Sequence, residues 1–257
     1  MRIRKTVDFG NERHVTNVNA PMFGNHKKRI GRIQGTSQAV KKINEEHSID
    51  YCFGKLRMNF RPCDWHIALT YSDENYVDDE QRAMKDRRNF ISKLRRRCIK
   101  AGIELKYLVM TEQGVKSKKW HHHFVLPQEI SIAMLYECWQ FGHIRILNTL
   151  YPDGDFRGLA KYFVDKTKGG QKEDDRKKGC SHYRFSKNCK DPVITYETGL
   201  SDTWLAVPRP PKGWRLKPDS LYNSVDGWGG YPYQKYILIR EKSEKHKCRK
   251  KNSRRLI

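Results

Sequence analysis

Glu112, His121, His122, His123, Tyr162 and Lys166 are the residues of this chain whose types and spacing could do chemistry. The histidines lie in "WHHHFVLP", a segment otherwise composed like a buried strand. Alternate side chains of a strand share a face, so His121 and His123 project together and His122 points the other way. Two imidazoles at that spacing can grip one divalent ion. The preceding segment, "ELKYLVMTE", ends on Glu112; in an antiparallel hairpin its carboxylate stands beside the imidazoles. A His–His–carboxylate set with open coordination positions is how catalytic metals are commonly held. The bland alternative is a surface patch of histidines. Against it, Phe124, Val125 and Leu126 continue the segment as buried strand, and an imidazole buried without a partner is costly.

Tyr162 and Lys166 lie four apart in "FRGLAKYFVDKTK", residues 156–168, so on a helix both project from one face. A phenol is a weak nucleophile near neutral pH. It attacks phosphorus when its anion is stabilised or its proton removed. Lys166 could do this, or could neutralise transition-state charge. Taken alone, such a pair is ordinary packing with a lysine stretched to solvent. Beside the histidines it becomes a candidate reacting group.

The elements that must position these groups are legible in outline. Ser37 can cap a helix running to about Phe60, with Val40, Ile43, Ile49, Phe53 and Leu56 as apolar positions and Pro62 as its stop. "DWHIALTY" alternates as a strand, placing Trp65, Ile67 and Leu69 on one side and His66, Ala68 and Thr70 on the other. "DDEQRAMKDRRNFISKLRRRCIKAG" reads as an amphipathic helix. Its expected apolar stripe is Met84, Ile91, Leu94 and Cys98, and its opposite face carries Arg87, Arg88, Arg95, Arg96 and Arg97. That face is solvated in the plain reading and can also lean on phosphates. The two strands around "QGVKSKK" form a hairpin, followed by a helix in "SIAMLYECWQ", a strand in "GHIRILNTL" and the helix carrying Tyr162.

Composition narrows the partner. Among 257 residues, 52 Lys and Arg stand against 29 Asp and Glu, a formal charge of +23, interleaved with 13 Tyr, 10 Phe and 6 Trp. Cations among ring faces suit phosphate contact with base stacking, so nucleic acid is the expected partner. Trp214, Trp228, Tyr231 and Tyr233 are candidate stacking rings, with structural packing the plainer reading. Seven cysteines without a CxxC pair read as reduced thiols of an intracellular protein. Cys180, His182 and Cys189 lack the paired spacing of a zinc site. Neither a signal-peptide pattern nor an apolar run of about 20 residues occurs, so the expectation is a soluble, cytoplasmic protein with no membrane partner. No GxxxxGK[ST] phosphate loop is present, which argues against an ATPase motor.

Together, "DWHIALTY", "VMTEQG…WHHHF" and "LAKYFVDK" resemble, in order and spacing, the rolling-circle replication initiators of the HUH endonuclease superfamily. The similarity is to replication-associated proteins of filamentous-phage and small-plasmid type, over residues 62–168. It implies an α+β fold with a ferredoxin-like or RRM-like core: a central antiparallel sheet of about five strands flanked by helices, with the histidines on a central strand. The implied organisation is a basic flexible arm at 1–36, a helix at 37–61, the endonuclease domain at 62–195, and a C-terminal extension with a basic tail at 196–257. The implied reaction is nicking of single-stranded origin DNA by tyrosine, leaving a 3′-hydroxyl and a 5′-phosphotyrosine that a later 3′-hydroxyl can reseal. In that resemblance His121, His123 and Glu112 match the ligands of a divalent metal, Mg²⁺ or Mn²⁺. Tyr162 matches the nucleophile, and Lys166 the lysine one turn on. Thr70 and Tyr71 belong to the first motif, structural or DNA-contacting, and Lys161, Arg95 and Arg96 are further candidate DNA contacts. The middle of the histidine motif is normally a bulky apolar residue, whereas here it is His122. Thr167 stands where some members carry a second tyrosine. A transposase of the same superfamily and a non-catalytic DNA-binding module are the other readings, and the sequence leaves open whether a separate host or phage helicase is recruited.

Overall fold

The computed structural model describes residues 2–19, 38–114, 118–149, 156–165, 183–201, 203–225 and 232–241, without the side chains of 38–44, 148–149 and 200. In chain order the elements are β1 (Arg2–Asp8), β2 (Glu12–Asn19), α1 (Gln38–Asn59), β3 (Trp65–Tyr71), α2 (Glu80–Lys100), β4 (Leu108–Gln113) and β5 (Trp120–Leu126). They continue with α3 (Ile132–Cys138), β6 (Gly142–Thr149), α4 (Arg157–Asp165), β7 (Tyr183–Phe185), β8 (Val193–Leu200), β9 (Trp214–Leu216), β10 (Tyr222–Val225) and β11 (Pro232–Arg240). The chain divides into two compact units, Gly31–Asp191 and a second built from Met1–Ile30 with Pro192–Ile257.

In the unit Gly31–Asp191, five antiparallel strands run in the order β6-β3-β5-β4-β7, so the histidine strand β5 is central. Strand alternation gives the sheet two unlike faces. One carries Ile67, Leu69, Val109, Phe124 and Leu126, packed in a core with Phe90, Leu94 and Cys98 of α2 and Leu135 of α3. Each such fully buried large side chain is worth about 1.5–3 kcal/mol, so this shared stripe fixes α2 on the sheet. Asp79 starts α2 by accepting from the backbone N–H groups of Gln81 and Arg82. The buried stripe is Ala83, Asp86, Phe90, Leu94 and Cys98. Met84 and Ile91, expected to lead it, are only partly buried. Arg87, expected on the solvent face, instead reaches inward and donates to Thr111 Oγ1 at 2.9 Å. The opposite sheet face presents His66, Met110, Glu112, His121 and His123. On that side the Phe163 ring of α4 lies 5.8 Å from the ring of His66, and α1 packs against α4. Ile49, Cys52, Phe53 and Leu56 of α1 and Leu159, Ala160, Phe163 and Val164 of α4 are buried. This is the α+β class with the five-stranded sheet that the sequence leads one to expect.

The other unit holds a six-stranded antiparallel sheet, β10-β11-β2-β1-β8, with β9 also paired to β11. Residues 2–19, assigned to a flexible arm by the sequence reading, are therefore strands; 1 and 20–37, with the expected helix cap Ser37, lie outside the described residues. The physical reason is that the buried face of these strands is largely polar. Arg2 and Arg4 each donate to Asn17 Oδ1 at 3.2 Å, Asn17 donates to Gln234 Oε1 at 2.9 Å, and Gln234 donates to the Leu205 carbonyl at 2.9 Å. Arg2, Asn17 and Gln234 are buried because this network satisfies them. Beside it sits a small core of Val15, Trp214, Tyr236 and Leu238. Trp214 is thus a packed ring with the Arg13 guanidinium 4.1 Å from its centroid, while Trp228 and Tyr231 lie outside the described residues. The described cysteines, Cys52, Cys63, Cys98, Cys138 and Cys189, are free thiols; Cys180 and His182 lie outside the described residues. Among the described residues no helix is long and apolar enough to cross a membrane.

Candidate active site

β4 and β5 pair so that Glu112 stands directly opposite His121 and Met110 opposite His123. Glu112, His121 and His123 therefore share the face toward α4, and His123 Nε2 lies 3.0 Å from Glu112 Oε1. Tyr162 projects from α4 onto the same spot. Its Oη is 3.3 Å from His123 Nε2 and 3.5 Å from Nδ1, with the two rings edge to face at 5.5 Å. Short-range patterns put these groups there: period two on the strands, and an amphipathic helix whose buried Leu159, Ala160, Phe163 and Val164 leave Tyr162 at the boundary.

His122 faces the other way, fully buried in the α2 core. Its Nε2 lies 3.1 Å from Tyr71 Oη and its Nδ1 2.9 Å from Thr111 Oγ1, so both ring nitrogens are partnered. Burial, followed by the cation of Arg87 and the two flanking imidazoles, lowers its pKa to about 3. It is a neutral core residue in place of an apolar one.

The electrostatics of the open face are set by burial and a single carboxylate. Burial pushes the Tyr162 phenol well above its ordinary pKa, and the Glu112 charge pushes it further. Burial and then His123 lower His121. His121 Nδ1 is buried with no hydrogen-bond partner. One further residue belongs to this face. His66 on β3 is buried, with its ring 6.0 Å from those of both His123 and Tyr162. Its Nε2 has no hydrogen-bond partner, and burial, then His123, lowers its pKa to about 4. The sequence reading placed His66 on the correct side of its strand without assigning it a role. The signal was the shared parity with Thr70, but β3–β5 adjacency was needed to use it.

The remaining expected contacts separate. Thr70 lies directly opposite His121 and donates from Oγ1 to the His143 carbonyl at 3.2 Å, at the edge of the site. Lys161 is exposed beside Tyr162 on α4. Tyr71 is not available to DNA: it is 3% exposed, and its hydroxyl lies between His122 and Asp86 Oδ2, the latter at 3.4 Å. Arg95 and Arg96 are exposed on α2, which covers the opposite sheet face, so they do not converge on Tyr162. Lys166 lies outside the described residues. Among the described residues, no group of three or more His, Cys, Asp or Glu side chains is arranged to hold a metal ion. The donor types nevertheless fit one: two imidazoles and a carboxylate share a face, and the unpartnered Nδ1 of His121 is a buried lone pair or N–H without a use in the protein.

An α+β sheet that brings a phenol, two imidazoles and a carboxylate together on one face defines a candidate phosphoryl-transfer site. Residues 64–168 match the family model of the replication-associated protein of ORF2 type. That span runs from the start of β3 past the end of α4 and contains every residue of the cluster, and it supports a replication-initiator family for this part of the chain. No curated protein and no solved structure matches the chain.

Proposed function

We propose that the chain initiates replication by nicking single-stranded origin DNA, with Tyr162 as the nucleophile. The observation that carries this reading is the phenol oxygen 3.3 Å from His123, on the face shared by Glu112 and His121. The family match supports the replication role.

In the proposed step the Tyr162 Oη–phosphorus bond forms as the bond from phosphorus to the 3′-oxygen breaks. The proton lost by the phenol balances the one the leaving 3′-oxygen takes up. The phosphoester energy stays in the 5′-phosphotyrosine, so a later 3′-hydroxyl can reverse the step. His121, His123 and Glu112 would hold a divalent ion, Mg²⁺ or Mn²⁺, which when bound would polarise the phosphate and offset the Glu112 charge. Holding it requires Glu112 and His123 to exchange their mutual hydrogen bond for ligation. The protein's own contribution is position: the β5 core fixes the imidazoles, and α4 aims the phenol. Burial and Glu112 hold the phenol in its protonated form, so the nucleophile is quiet until cationic charge arrives beside it. Lys166 is assigned to that charge, and Thr70 and Lys161 to the strand that enters.

Incubation with labelled single-stranded candidate origins and Mn²⁺, followed by mass mapping of DNA-linked peptides, tests the proposal. The expected product is an SDS-resistant adduct on the peptide containing Tyr162, absent in Tyr162→Phe while oligonucleotide binding persists. An adduct that survives in Tyr162→Phe would assign the nucleophile elsewhere.

A further inference from the structure

The six-stranded sheet of the unit formed by the two ends of the chain also has two unlike faces. One holds the small core and the polar network, and there the carboxylates meet arginines: Asp8 lies 2.6 Å from Arg13, and Glu197 3.0 Å from Arg4. On the other face none of the described strand residues is buried. The strand registers align one row directly across it. Tyr222 of β10 stands opposite Lys235 of β11, Lys235 opposite Thr16 of β2, Thr16 opposite Lys5 of β1, and Lys5 opposite Tyr196 of β8. At about 4.8 Å between strands this row spans about 19 Å.

Its chemistry is ring, ammonium, hydroxyl, ammonium, ring. Tyr196 is 63% and Tyr222 58% exposed, far more than packing rings would be. Lys5 and Lys235 make no ion pair with a described carboxylate, and the one carboxylate among the described strand residues of this face, Glu12, lies 2.7 Å from His14. Neighbouring positions are Ile3, Val7, Val18, Ile194 and Ile237, which make the floor apolar.

We infer that this face is a platform for single-stranded nucleic acid, with Tyr196 and Tyr222 stacking on bases and Lys5 and Lys235 neutralising phosphates. The choice of single strand rests on the substrate proposed above. The site is separate from Tyr162, on a different unit of the chain. Exposed rings accept any base, because every base has a π-face. A duplex keeps its base faces stacked and out of reach. A protein partner would have to bury two ammonium groups at the centre of the contact, a costly arrangement without facing carboxylates.

The test is fluorescence anisotropy of the full chain with labelled oligothymidylate of about 15 nucleotides, within the site sizes of such grooves. Chelator is present, so no nicking intervenes. Tyr196→Ala with Tyr222→Ala should raise Kd by about tenfold or more, whereas Tyr196→Phe with Tyr222→Phe should leave it within about twofold, since stacking needs the ring and not the hydroxyl. Lys5→Gln with Lys235→Gln should lower the slope of log affinity against log salt by about 1.4, the share of two phosphates on a single strand. Unchanged affinity and slope in the alanine and glutamine variants would overturn the inference. So would an equal loss in the phenylalanine variant, or a changed sedimentation state with unchanged DNA binding, which would mark a protein interface instead. Adduct formation at saturating origin DNA should be unaffected in all three variants. If the unsubstituted chain forms no adduct while the ring variant still loses affinity, the nicking proposal falls and the platform stands.

Discussion

His122 shows how much one buried residue can set. It occupies the position between the two candidate ligands, yet its ring belongs to the opposite face, where Tyr71 and Thr111 take its nitrogens. The folded ring, with its pKa lowered to about 3, refuses a proton that the unfolded chain accepts below about pH 6.5. Its contribution is therefore complete above pH 6.5 and is lost as the pH falls toward 3, on the order of 4 kcal/mol across that window. Buried His66, lowered to about 4, acts with the same sign. In His122→Leu the two hydroxyls keep other partners, Asp86 and Arg87. The variant should stay within about 1.5 kcal/mol of the parent at pH 7 and exceed it near pH 4. Urea melts at the two pH values check this; parallel curves for both proteins would contradict it. The ligand assignment is testable without activity. Mn²⁺ should raise the thermal midpoint of the parent, by about 2.7 kcal/mol of stability at a hundredfold excess over Kd, and should leave Glu112→Ala and His121→Ala unmoved. The face shared by Glu112, His121 and His123 was legible because it follows from a period of two. The burial of Tyr71 was not, because its partners Asp86 and His122 come from elements that only the fold brings beside it.

Elements convert such parities into a site, and the edge of the sheet shows how tightly. β6 begins at Gly142, opposite Tyr71, the last residue of β3. A Cβ at Gly142 would collide with the backbone of β3, at the Thr70 carbonyl oxygen and the Ser72 amide nitrogen. Backbone cannot rotate away as a side chain can, so the close approach of these strands needs glycine here. Thr70, opposite His121, moves with that edge. Gly142→Ala should cost about 1–3 kcal/mol and should shift amide resonances of Thr70 and Ser72. A variant with parent-like stability and spectra would show that the edge relaxes freely. The helices and strands of this unit were readable because their buried positions are apolar at regular spacing. Phe90 displaced Met84 and Ile91 from the stripe of α2 because the sheet, not the helix alone, chooses the face that is covered.

At the scale of the whole molecule, the unit Gly31–Asp191 is inserted into a second unit made by both ends of the chain. That organisation was hidden in the sequence. Its buried positions at Arg2, Asn17 and Gln234 are polar, so they produce no hydrophobic alternation, and a basic start to the chain reads as an arm. The distinction has a mechanical consequence. β2 pairs with β11 and β1 with β8, so β1 and β2 join the C-terminal strands into one sheet. Deleting residues 2–19 would leave β8 without its partner β1 and strip β11 of one neighbour, exposing backbone groups that the ladder now satisfies. It would also leave Gln234 without Asn17 and remove Val15 from the core. Hydrogen exchange by mass spectrometry on the truncated chain should therefore show lost protection in β8 and β11, while β3, β4 and β5, whose pairings lie wholly within the other unit, stay protected. An independent arm would give the opposite pattern, with β8 and β11 as protected as in the full chain and only binding to polyanions reduced.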